Sequence, residues 1–185
     1  MTVRRAAGLG CAVAAWLAAG SAWAECVRQG TLVRTAQLHP LVRKGEFVHV
    51  YAGQCDFPVE RGAVVMVTTR SPFPQMRVAR ALPGDTVTVE SRGGIRVLLV
   101  NGTELRNSVG KPYRFSAVSA EVMREHLAPF GGRLPEGAYL LLGDRPDFTL
   151  DAAQLSPVLR RDILGVMTDR GAPAAAQPDG GTATP

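Results

Sequence analysis

The chain has 185 residues, with 21 basic and 16 acidic side chains and a formal charge of +5. That excess is too mild to argue for a nucleic acid partner. Three cysteines and three scattered histidines (His39, His49, His126) show no metal-ligand spacing, and no glycine-rich phosphate loop is present, so no metal or other cofactor is expected.

Residues 1–24 read as a secretory signal. Arg4 and Arg5 form a charged start, an alanine-rich apolar run extends from Ala6 to about Leu17, and Ala22-Trp23-Ala24 gives a small-x-small cleavage pattern before Glu25. The uncharged run from Ala6 to Ala24 also suits a retained anchor. Two locations therefore stay open: periplasmic or otherwise exported after cleavage, or anchored in the inner membrane and facing the periplasm. Alanine and glycine make a weak span, which favours cleavage. Loss of the signal removes two arginines and no acid, leaving +3. Such a protein can sit near an anionic membrane surface.

Cleavage also leaves two cysteines, Cys26 and Cys55. An even count in an exported chain invites a disulfide, with two free thiols as the alternative. Residues 25–170 have the length of one domain. Residues 171–185 are mostly Ala, Pro, Gly and Thr without apolar periodicity, and are expected to form a disordered tail.

Strand signals dominate the domain. Glu46–Tyr51 alternates with period two, and Ala63–Thr68 is a β-branched apolar run. Gly53, Pro58 and Gly62 supply turn chemistry between them. Thr86–Glu90 and Ile95–Val100 flank Ser91-Arg92-Gly93-Gly94, a hairpin signal, and Asn101-Gly102 is a second tight turn. Ser119 is placed to cap a helix, with Val118 and Met123 as a hydrophobic staple and Pro129 and Gly131 beyond its end. Tyr139–Leu142 and Ile163–Thr168 read as the last strands. The fold class is mostly β with one short helix, not an alternating α/β layout.

Several of these pieces recur in a fixed order. Pro40 is followed by Gly45-Glu46-Phe47-Val48, then Gly62–Val67, Leu82-Pro83-Gly84-Asp85, and Asn101-Gly102. Gly143-Asp144, Thr149, Asp151, Pro157 and Gly165 complete the set. Any one piece is weak, but the ordered set over residues 37–168 resembles the type I signal peptidases. The resemblance implies a signal-peptidase-like coiled β-barrel or sheet domain. It also implies a membrane-associated protease that attacks with a serine and uses a lysine as base.

The two reacting positions depart from that pattern. Aligned on Gly45 and Pro40, the serine position is Gln37 and the neighbouring methionine position is Leu38; aligned on Asp85, the lysine position is Arg77. The mechanism needs a hydroxyl beside an amine that burial keeps neutral. A glutamine amide is not such a nucleophile, and a guanidinium stays protonated. No serine occurs from Glu25 to Arg70, and the whole chain has two lysines, Lys44 and Lys111. Thr35 is the nearest substitute hydroxyl but lacks a base. Ser108-Val109-Gly110-Lys111 matches S-x-x-K superficially and is read as a solvated loop, and His39 as a solvated histidine. Asp144 and Asp151 are either remnants of the acids that order the family's catalytic loop or plain turn acids. Arg145 stands where the family has an asparagine.

No catalytic residue is therefore assigned. The leading expectation is an exported, catalytically inactive relative. Its groove, lined by Leu38, Pro40 and the strand after Arg77, with Asp144, Thr149 and Asp151 in the nearby loop, would take an extended peptide or an exported protein. One alternative is a working serine endopeptidase that cleaves signal peptides. Another is an accessory factor of a secretion or conjugation system. Fold alone does not separate them.

Overall fold

The computed structural model describes residues 26–53, 55, 57–69, 72–145 and 156–170. The signal at 1–24 and the tail at 171–185 lie outside these residues, as do Thr149 and Asp151. The strands are β1 (Val27–Leu32), β2 (Phe47–Ala52), β3 (Val64–Val67), β4 (Gln75–Ala81), β5 (Val87–Arg92), β6 (Ile95–Val100), β7 (Thr103–Glu104), β8 (Arg114–Phe115), β9 (Ala138–Leu142), β10 (Val158–Leu159) and β11 (Ile163–Arg170). One helix, α1, spans Ala117–Leu127.

Seven strands form an antiparallel sheet in the order β1-β2-β11-β3-β4-β9-β10. A smaller antiparallel sheet runs β5-β6-β7, with β8 also paired to β6. The architecture is mostly β, as the sequence pattern implies. The large sheet is open, with β1 and β10 at its edges, so among the described residues no barrel closes.

Apolar alternation explains the layering. Leu140 and Leu142 of β9 join Leu98, Met123 and Leu127 in a core beneath α1. Leu141 points the other way, to Val65, Val67, Ala79 and Ile163. A third core gathers Val33, Leu38, Val42, Val48 and Val50 under the chain that enters β2. Each fully buried aliphatic of this kind contributes on the order of 1.5–3 kcal/mol. The β5–β6 hairpin turns through Gly93 and Gly94, both at positive φ (56° and 80°), with Arg92 opposite Ile95. This is the two-residue turn that matches strand twist and that glycine adopts without strain.

The helix differs from expectation at its start. Ser116, not Ser119, is the N-cap, and its hydroxyl accepts the Ser119 N–H at 3.0 Å. Ser119 lies one turn inside, buried. Val118 is 72% exposed while Met123 is fully buried, so the two form no staple. The helix begins at Ala117, so the preceding hydroxyl, Ser116, takes the cap. A disulfide joins Cys26 and Cys55 and ties the start of β1 to the loop after β2.

Candidate functional site

Gln37 and Arg77, which the motif alignment places at the two reacting positions, touch each other. A short 3-10 turn, Ala36–Leu38, carries Gln37. Leu38 anchors that turn in the core at 0% exposure, which leaves Gln37 half-buried and turned to β4. Leu38 is thus a core residue and does not line a groove; it belongs to the apolar cluster of Val33, Val42, Val48 and Val50. Arg77 lies on β4 opposite Val65 and is 4% exposed.

The Arg77 guanidinium donates from Nη1 to Gln37 Oε1 and to the Met76 carbonyl (3.2 Å), and from Nη2 to Gln75 Oε1. All three acceptors are neutral. Burial without a counter-charge pulls the Arg77 pKa down to about 10. The group is still a cation at neutral pH and has no lone pair with which to accept a proton. The pair therefore holds an amide and a guanidinium, which can bind but cannot attack a carbonyl.

A second cluster adjoins the first. Asp144 is fully buried. Its carboxylate accepts from Arg80 Nη2, from the Ser108 hydroxyl, from the Ser108 N–H at 3.0 Å and from the Leu41 N–H at 3.2 Å. Its own N–H donates to the Gln37 carbonyl at 2.7 Å, and its carbonyl accepts from Asn107 Nδ2 at 2.9 Å. Tyr113 closes the set: its hydroxyl donates to the Gly143 carbonyl at 2.6 Å and accepts from Arg80 Nε at 3.0 Å. Burial pushes the Tyr113 pKa up to about 12, so the phenol stays protonated.

This explains the Gly143-Asp144 pair physically. A Cβ at position 143 would stand 2.8 Å from the Gln37 carbonyl oxygen, too near for any side chain. Glycine lets the two backbones approach, and the Asp144 carboxylate then stitches residues 41, 80 and 108 together. Asp144 acts as more than a turn acid. The loop at Ser108–Lys111 is correspondingly less free than its composition implies. Residue 108 is exposed, yet its hydroxyl is bound to Asp144, and Asn107 Oδ1 accepts the Val109 and Lys111 N–H groups at 3.2 and 2.8 Å.

The Pro83-Gly84-Asp85 turn is structural. Asp85 accepts from Arg61 Nη2 at 2.8 and 2.9 Å, from Asn101 Nδ2 at 2.7 Å and from the Leu82 N–H at 2.5 Å. Burial alone would raise its pKa, but the Leu82, Asn101 and Arg61 donors outweigh that and hold it below the ordinary carboxylate range.

No described hydroxyl sits beside an amine. Lys44, Lys111, His39 and Pro40 are exposed, and Thr35 is half-buried. Ser156 Oγ does meet an imidazole, 3.0 Å from His126 Nδ1 and 3.4 Å from Nε2. Lying near both nitrogens, it is aligned with the lone pair of neither. Among the described residues no carboxylate orients that ring.

The concave surface near Arg77 lies on the side opposite to the one the sequence pointed to. A cleft of about 140 Å³ runs between Thr31–Thr35 and Phe73–Met76, with Met66 at its base. The strand after Arg77 cannot line a groove edge, because Val78–Ala81 is covered by β9 and Val78 also pairs with β3. Gln75, Arg80, Asn107 and Tyr113 escaped the sequence reading. Arg80 had a signal: a second arginine in an apolar stretch is buried only with a partner.

Among the described residues no helix is long and apolar enough to cross a membrane. The family model for signal peptidase, peptidase S26, matches residues 6–170. No curated protein is similar enough to this chain to count as a match. With the match running from the N-terminal apolar run to the last strand, this chain belongs to the signal peptidase S26 family.

Proposed function

We propose that this chain is an exported, catalytically inactive member of its family that binds extended peptide segments in the cleft beside Arg77. Gln37 and Arg77 take the places of the attacking serine and its lysine base. The observation that carries this reading is their mutual hydrogen bond: two independent substitutions meet side by side, and neither supplies a nucleophile or a base. Family membership fits an exported or membrane-associated protein, and the disulfide fits an oxidising compartment.

The cleft supports the binding half. Two backbone segments flank it, Leu32 (55% exposed) and Phe73 (56%) leave apolar surface at its mouth, and its small volume suits short side chains. Backbone pairing plus shallow pockets is how extended peptides are held. Titration of labelled Ala-x-Ala peptides tests this. Saturable binding is expected, and no binding at millimolar peptide contradicts it.

A second reading, a working serine endopeptidase, draws on the Ser156–His126 contact. It requires hydrolysis that Ser156→Ala abolishes.

A further inference from the structure

Gln75 lines the cleft, and its amide oxygen is bonded to the buried Arg77 guanidinium, a cation that no described residue neutralises. Among the described residues the Arg77 guanidinium reaches only the neutral oxygens of Gln37, Gln75 and Met76. Buried charges ordinarily have a counter-charge. Arg80, three residues along the same strand, has one in Asp144. Among the described residues the cleft is lined by no acidic side chain, and Arg34 adds a second cation at its rim, 5.1 Å over the Phe73 ring. No described residue gives the Arg77 guanidinium a negative partner.

Strand pairing says which end of a ligand arrives there. β9 covers β4 only from Val78 onward, so no described strand pairs with Gln75–Arg77 on that side. That side is bounded at Arg77 by the Ala36–Leu38 turn, whose Gln37 bonds the guanidinium and whose Gln37 carbonyl packs on Gly143. A peptide laid parallel to β4 meets this boundary beside Arg77 and has to stop. What a peptide presents when it stops is its C-terminal carboxylate.

We propose that the cleft receives the free C-terminus of a peptide, with its carboxylate on the Arg77 guanidinium. The planar fork of an arginine matches a carboxylate with two parallel N–H···O bonds. Gln37 and Gln75 now offer their carbonyl oxygens to Arg77. Each amide carries two donors on its other end, so rotation turns both from acceptors for the cation into donors for the anion. The inference rests on the peptide-binding reading and narrows it. The ligand is a chain end left by hydrolysis elsewhere, not an intact polypeptide passing through.

Fluorescence anisotropy on the full chain tests it with four labelled peptides of one Ala-x-Ala sequence. One ends in the free acid, one in the amide, one continues for several residues, and one ends in the amide but carries an internal aspartate. The free acid is expected to bind about tenfold or more tighter than the amide and the extended peptide, the range of charge-assisted hydrogen bonds. Arg77→Met should erase that ratio, and Arg77→Lys, which keeps the charge and loses the fork, should reduce it severalfold; the lysine variant carries the test if the methionine variant does not fold. Equal binding of acid and amide overturns the inference and leaves peptide binding standing. Equal binding of the internal-aspartate peptide and the free acid overturns the assignment to a chain end. Absence of binding by all four overturns both readings.

Discussion

Arg77 and Arg80 lie on one strand, three residues apart, and their surroundings solve the problem of a buried cation in opposite ways. Arg80 reaches a fully buried carboxylate that also collects a hydroxyl and two backbone N–H groups. Arg77 reaches two glutamine amides and a carbonyl. The first arrangement is closed: each partner is consumed by another, and the product is a rigid joint between residues 37–41, 80, 108 and 143–144. The second is open: the charge is solvated by dipoles that can turn. An arginine held inside a fold can serve architecture or recognition, and the formal charge of its partner distinguishes the two.

The sharpest way to break this contrast is to empty the closed cluster. Asp144→Ala leaves Arg80, whose side chain is 11% exposed, without its counter-ion and should cost about 3–5 kcal/mol, read from urea unfolding. Arg80→Met, which strands Asp144, should cost about as much. Gly143→Ala tests the joint without touching a charge. The added Cβ would stand 2.8 Å from the Gln37 carbonyl oxygen, and forcing the backbones apart should cost about 1–3 kcal/mol.

Asp85 gives an intermediate case, since its partner Arg61 is nearly half-exposed. Its folded pKa lies below the unfolded value, so its contribution is fully present above the unfolded carboxylate pKa of about 4 and is lost as pH falls through the depressed folded value. Asp85→Asn should cost about 1–3 kcal/mol at neutral pH and flatten the acid limb of a stability–pH profile. The smallest effect belongs to the open cluster. Arg77→Met removes a buried charge that has no counter-ion among the described residues, and Gln37 and Gln75, both half-buried, can turn to water. Stability should stay within about 0.5 kcal/mol of the parent or rise. A loss comparable to that of Arg80→Met would erase the distinction.

Much of the fold was legible because it rests on local rules. The alternation in Glu46–Tyr51, the double glycine after Arg92 and the leucine run at Tyr139–Leu142 each specify one face or one turn. What stayed hidden depends on pairing across the chain. β4 does not announce itself as a central strand, because Arg77 and Arg80 interrupt its apolar pattern and partners distant in sequence, Gln37, Tyr113 and Asp144, help make them tolerable. Motif position points Leu38 to a groove, while its place between Val33 and Val42 in the chain points it to the core it occupies. Motif spacing brought Gln37 and Arg77 to attention; it could not reveal that the open side of β4 lies before Arg77, since that depends on where β9 begins. The Ser108 hydroxyl, read as solvated, is held by Asp144 for the same reason: the partner is 36 residues away.

The claim beneath all of this is chemical: an amide and a permanent cation cannot open a peptide bond. Its most direct test is prolonged incubation of the pure protein with a preprotein bearing an Ala-x-Ala site, followed by intact-mass measurement. The account predicts that the preprotein keeps its full mass, with no fragment ending at that site. A new fragment that disappears when Ser156, Ser108 or Thr35 of this chain is replaced by alanine would contradict it.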